Sequence, residues 1–334
     1  MKKNKKDIPR VLDELNMVFS DNVRYEEFDN FMKEYVKNIN PDYKESVYHM
    51  ENIIRTKCHN DYKMGIKTFD YKCPIKVFIN RLLFILLYYY WSKSKEIFDF
   101  DEDFFEELIK TPIEEIPIEE IKELPYKTFV CQHGNSYILV HKTKDIGRHP
   151  ITEEVMNAEF IYLYNVRDGK KQIEFLPIPL IEEFKDVQTV MKYYTNEVGV
   201  ENALKYINIL MYLVSDKGDV AENPKQKAIT RRTETVKNTF REVRKWDVGY
   251  RFGNVFRKQK NQNVNENNKS KVSRIGVSAG LGTKKRAHIR RGHWHRFWTG
   301  KRDSDEQKQI IRWVSPVAVN FEDDDSPAVI HKVK

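Results

Sequence analysis

Two histidines, His293 and His295, stand two residues apart in the stretch Lys284 to Asn320, KKRAHIRRGHWHRFWTGKRDSDEQKQIIRWVSPVAVN. Imidazole titrates near neutral pH, so the pair offers one general base and one general acid to a metal-free ribonuclease. In that chemistry Arg290 or Arg296 would stabilise the charge on the phosphorane. The same stretch carries Lys284, Lys285, Arg286, Arg290, Arg291, Arg296, Lys301 and Arg302, which suit phosphates. Trp294 and Trp298 suit base stacking, although these rings and Trp313 equally suit the core of a small sheet. The histidine pair has no third ligand at metal spacing, and neither a metal nor another cofactor is expected.

The element that must position these groups reads as a strand pair. Residues 287–298 alternate Ile289, Arg291, His293, His295 and Phe297 on one face with His288, Arg290, Trp294, Arg296 and Trp298 on the other. Polar sequence with a glycine at 299–306 would turn the chain, and Gln309 to Val314 returns as the second strand.

The net charge of +8 conceals a strong polarity. Between residues 225 and 302, 23 Lys/Arg face four carboxylates, a net of +19, whereas 96–123 holds 12 Asp/Glu against Lys110 and Lys122. A segregated basic third points to a polyanionic partner, and the acidic belt to a basic protein or the chain's own basic third. Cys58, Cys73 and Cys131 form no CxxC pair, which fits reduced thiols in a cytoplasm. The apolar run Val77 to Trp91 is interrupted by Asn80 and Arg81 and reads as a buried helix, so no membrane partner is expected. The basic N-terminus leads into Asp13 and Glu14, which is no export signal.

In chain order, 1–95 reads as a helical N-terminal region with three helices before residue 60 and then the apolar helix. Residues 96–125, punctuated by Pro112, Pro117 and Pro125, read as an acidic linker or edge. From 126 to 220 an α+β unit is expected: strands at 128–131, 137–141, 159–164 and 172–176, turns at His133-Gly134-Asn135 and Arg167-Asp168-Gly169, then helices at 181–194 and 200–214. Residues 221–334 form the basic C-terminal module, with a helix over 230–246 and a disordered loop near 259–271. Gly276 to Gly282 lacks the spacing of a phosphate-binding loop. The fold class is α+β.

The residues RRGHWHRFWTGKR followed by IIRWVSPVAVN resemble the C-terminal signature of the second type V-A anti-CRISPR (AcrVA-type) family of phages and plasmids. The segment 137–219, notably ENALKYINILMYLVSDKGDV, is similar in layout. The resemblance implies a cytoplasmic inhibitor in a bacterial host, and a non-enzymatic adaptor is the leading expectation. It would recognise the nascent type V-A effector polypeptide and drive loss of the effector's transcript. RNA or a ribosome-associated transcript, the nascent effector and a host nuclease are the partners so implied. The alternatives are the ribonuclease using His293 and His295, and a general nucleic-acid-binding accessory protein of a mobile element.

Overall fold

The structure is a computed structural model that describes residues 86–113, 115–166, 173–215, 218–223, 243–254, 256–257, 288–301, 307–314 and 317–319, with 30, 33 and 47 as single helical positions. Apart from positions 30, 33 and 47, the expected helices before residue 60 lie outside the described residues, as do the turn at 167–169, the loop near 259–271, the glycine-rich 276–282, Lys284, Lys285, Arg286 and Arg302.

The fold is α+β. Seven strands form one sheet in the order β5-β4-β3-β2-β1-β7-β6. They are β1 (Glu96–Phe100), β2 (Thr128–His133), β3 (Ser136–Arg148), β4 (Val155–Val166), β5 (Ile173–Leu180), β6 (Val220–Glu222) and β7 (Arg244–Val248). Two further antiparallel pairs join β8 (His288–Arg290) to β11 (Val317–Val319) and β9 (His293–Thr299) to β10 (Lys308–Val314). The described helices include α1 over 86–94, α2 (Glu102–Ile109), α3 (Val187–Tyr194) and α4 (Glu197–Val214), with a 3-10 turn at Ile118–Ile121 and further helical residues at 250–254 and 256–257. The chain divides into two compact units, one of Met1–Asp99, Glu115–Leu204 and Glu222–Trp246, the other of Phe100–Glu114, Lys205–Ala221 and Asp247–Lys334.

In the first unit the antiparallel meander β2-β3-β4-β5 follows the β-branched and aromatic runs of the sequence. Gly134 turns β2 into β3 with φ +52°, a left-handed conformation natural to glycine. Pro177 and Pro179 sit on β5, the outermost strand, where a missing N–H breaks no ladder. From α1, Tyr88 donates to the Tyr137 hydroxyl at 3.2 Å and Tyr90 stacks on His141 at 4.5 Å. Asp186 caps α3 by accepting from the Thr189 N–H at 2.8 Å. The helix expected from 181 therefore starts later, at Val187.

Two local expectations give way to long-range pairing. The acidic stretch after residue 96 opens with β1, every residue of which is buried. Glu96, 0% exposed, accepts from Trp246 Nε1 at 2.7 Å and pairs with Arg244, while Asp99 pairs with Lys245. Phe98 lies between Phe129 at 5.3 Å and Trp246 at 6.1 Å. Of the helix expected over 230–246, residues 244–246 lie instead in strand β7, where Arg244, Lys245 and Trp246 meet β1; residues 230–242 lie outside the described residues.

The second unit has an aromatic spine. Phe252 stacks on Phe104 of α2 at 5.7 Å, Phe104 meets Tyr212 of α4 at 4.8 Å, and Tyr212 meets Trp313 of β10 at 5.7 Å. Gly249, at φ +71°, lies so close to Phe104 that a Cβ would fall 2.0 Å from its ring, so no other residue fits there. Asp101 caps α2 through the N–H groups of Asp103 and Phe104, and the same carboxylate takes both arms of the Arg257 guanidinium at 3.1 and 2.8 Å. Asp103 takes Arg257 as well, at 2.9 Å. These hydrogen bonds, Asp101 foremost, push the Arg257 pKa up and hold its charge.

Candidate nucleic-acid interface

The expected return of 309–314 on the histidine strand is present: β9 and β10 pair antiparallel, with Trp313 opposite Trp294, Arg312 opposite His295 and Ile310 opposite Phe297. The single strand expected over 287–298 is not. It breaks at Arg291-Gly292 because β8 turns to β11 and β9 to β10, each partner fixing its own piece. The alternation of faces therefore holds within β9 and not across 287–298.

Directly opposed residues share a face of a two-stranded ribbon. One face carries Trp294, Arg296 and Trp298 with Trp313, Ile311 and Gln309. At its inner end this face is packed: Trp313 is 3% exposed, its ring stands 5.1 Å from Trp294, and Trp294 Nε1 donates to Asn208 Oδ1 at 2.6 Å. Asn208, itself buried, donates to the Thr111 carbonyl at 2.9 Å, so its amide is held at both ends. Trp298, near the turn, is 64% exposed. Trp294 is thereby committed to packing, whereas Trp298 keeps a free ring face.

The opposite face is open. His293, His295 and Arg312 are exposed, and Phe297 is 40% exposed. Their rings run in file along β9, His293 to His295 at 6.3 Å and His295 to Phe297 at 4.5 Å, each pair nearly perpendicular. Arg312 stands across the ribbon from His295. Three exposed rings beside a guanidinium form a surface able to meet bases and phosphates at once. Phe297 and Arg312 are absent from the set read from the sequence. The two-residue period would have supplied Phe297, but Arg312 becomes a neighbour only through the register.

The remaining cations are placed as follows. Arg290 ends β8 exposed, Lys301 is exposed after Gly300, and Arg291 reaches Glu107 of α2 at 3.3 Å while its side chain stays 80% exposed. Arg296 lies on the tryptophan face, so it cannot serve a phosphorane held between His293 and His295. Arg291 and Arg257 are thus partnered by the acidic stretch, one of the two roles anticipated for it. Among the described residues no cluster of three or more His, Cys, Asp or Glu could hold a metal ion. Among them, also, no helix is long and apolar enough to cross a membrane.

Comparison with known proteins places the chain in a family. Protein FinQ of Escherichia coli is 24% identical over 277 residues, which span 72% of this chain and 77% of FinQ. The crystal structure of AcrVA2 superposes with a TM-score of 0.58 at 16% identity, covering 94% of this chain and all of that one, which shows a shared fold. The model of the AcrVA2-like family, described as the anti-CRISPR type V subtype A2 family, matches residues 98–321, a span that takes in both α2 and the ribbon. The chain therefore belongs to the AcrVA2-like anti-CRISPR family.

Proposed function

We propose that this protein lowers the type V-A effector nuclease of a CRISPR system by recognising the nascent effector polypeptide and promoting loss of its transcript. In this reading the basic C-terminal module touches the RNA and the preceding parts meet the polypeptide. Family membership supports the anti-CRISPR role. The observation that carries the RNA-contacting half is the open face of β9, where His293, His295, Phe297 and Arg312 lie exposed together. Arg290, at the end of β8, and Lys301, after Gly300, add exposed charge on the segments that flank β9. The partners are the transcript, the emerging effector and a host nuclease that cuts, and the setting is the bacterial cytoplasm.

The test is the level of effector transcript and protein in cells carrying a type V-A system, with and without this chain. Loss of the transcript while the effector is being translated is the expected result. An unchanged transcript would leave a nucleic-acid-binding accessory protein of another target.

The adjacency of the His293 and His295 rings favours a second reading, cleavage by the protein itself. Both rings face solvent on an open strand, while acid–base catalysis depends on a tightly positioned substrate, so the adaptor is preferred. Purified protein that cuts RNA, and stops doing so as His293→Ala while still binding it, would reverse that preference.

A further inference from the structure

We infer that the His293–His295–Phe297 file of β9 takes single-stranded nucleic acid, receiving unstacked bases on its rings, with Arg312 on the backbone phosphates. This rests on the nucleic-acid-contacting half of the proposed function and narrows it to one form of ligand.

The spacing decides between strand forms. Stacked bases in a duplex follow one another every 3.4 Å or so along a strand. Residues two apart on a β-strand are separated by about 6.7 Å. The ring centroids here are 6.3 and 4.5 Å apart, both wider than a duplex step. Orientation points the same way. Successive rings are turned 80° and 76° from one another, so their faces look in different directions. Parallel bases of a helix cannot meet such faces in succession, whereas bases that rotate independently can. The face of Phe297 offers no hydrogen bond and tolerates any base, while His293 and His295 can also donate or accept at a base edge. Arg312, opposite His295, places one cation alongside the file rather than beneath it. Nothing in this set addresses the 2′-hydroxyl, so the recognised feature is the unpaired base, common to RNA and DNA.

The experiment uses the full-length protein and a fluorescein-labelled 12-nucleotide RNA, the same sequence as DNA, and the RNA annealed to its complement. Anisotropy titrations at two salt concentrations are run on the wild type and on Phe297→Ala, Arg312→Ala and Trp298→Ala, with circular dichroism to confirm folding. Phe297→Ala should weaken single-strand binding about tenfold at both salt concentrations and leave duplex binding unchanged. Arg312→Ala should weaken single-strand binding and reduce its salt slope by about one contact. Trp298, on the other face, should matter less than Phe297. Equal loss of single-strand and duplex binding in Phe297→Ala, or no loss of either, overturns the inference. Equal binding of RNA and DNA single strands upholds it with the base as ligand, and preference for RNA upholds it with RNA as the source. The proposed function fails separately: transcript loss in cells without single-strand binding sinks this inference alone, and binding without transcript loss sinks only the former.

Discussion

The two faces of the β9–β10 ribbon are built from the same kinds of residue and do opposite work. On one, Trp313 packs against both Tyr212 and Trp294, and the Trp294 indole N–H is fixed to Asn208. On the other, His293, His295 and Phe297 stand exposed in file, with Val314, Arg312 and Ile310 opposite them across the ribbon. The comparison teaches that residue type does not assign the role here. Register and neighbouring elements do, because a ring beside α4 becomes core and a ring one residue away becomes surface.

If that division is right, substitutions on the packed face should alter stability and those on the open face should alter binding. The largest effect is expected for Trp313→Ala, which empties a site 3% exposed and should destabilise the protein by about 3 to 5 kcal/mol in urea denaturation. A pH dependence should come next. Burial pushes the Cys131 thiol and the Tyr212 phenol up, so both stay protonated in the fold. An unfolded thiol ionises near pH 8.5, and from there stability should fall by about 1.4 kcal/mol for each unit of rising pH. Below that pH the group contributes no slope, and Cys131→Ala should remove one proton's share of the slope above it. Denaturation curves at pH 8 and 9.5 read this directly.

Trp294→Phe keeps a ring and loses the donor to a buried Asn208, so a loss of about 1 to 2 kcal/mol is expected, readable as a shifted urea midpoint. Arg291→Ala should cost less than about 1 kcal/mol, since the pair with Glu107 is open to solvent. Smallest of all, Arg312→Ala should change stability by under about 0.5 kcal/mol while lowering the salt dependence of nucleic-acid binding. A large stability loss in Arg312→Ala would erase the distinction between the faces.

Much of this was legible in the sequence where local signals suffice. The β-branched runs at 128–131, 137–141 and 159–164 and the His133-Gly134-Asn135 turn marked the meander, and 309–314 marked the returning strand. What escaped was pairing between distant segments. Glu96 and Asp99 read as linker charge because the cations that neutralise them, Arg244 and Lys245, lie almost 150 residues on. The same pairing makes a strand, β7, of residues 244–246, which by their local pattern read as helix. At the candidate site, the exposed places of His293, His295, Arg290 and Trp298 follow their strand pattern, but the packing of Trp294 depends on Asn208 and the place of Arg312 beside the histidines on its register with His295.

In the proposed function the open face of β9 serves the loss of the effector transcript. That role is tested most directly by the steady-state level of that transcript in cells carrying a type V-A system and expressing either the wild type or the Phe297→Ala/Arg312→Ala double variant at equal protein abundance. The expected result is a fall in transcript with the wild type and little or none with the double variant. An equal fall with both would contradict the claim and place the decisive contacts elsewhere in the chain.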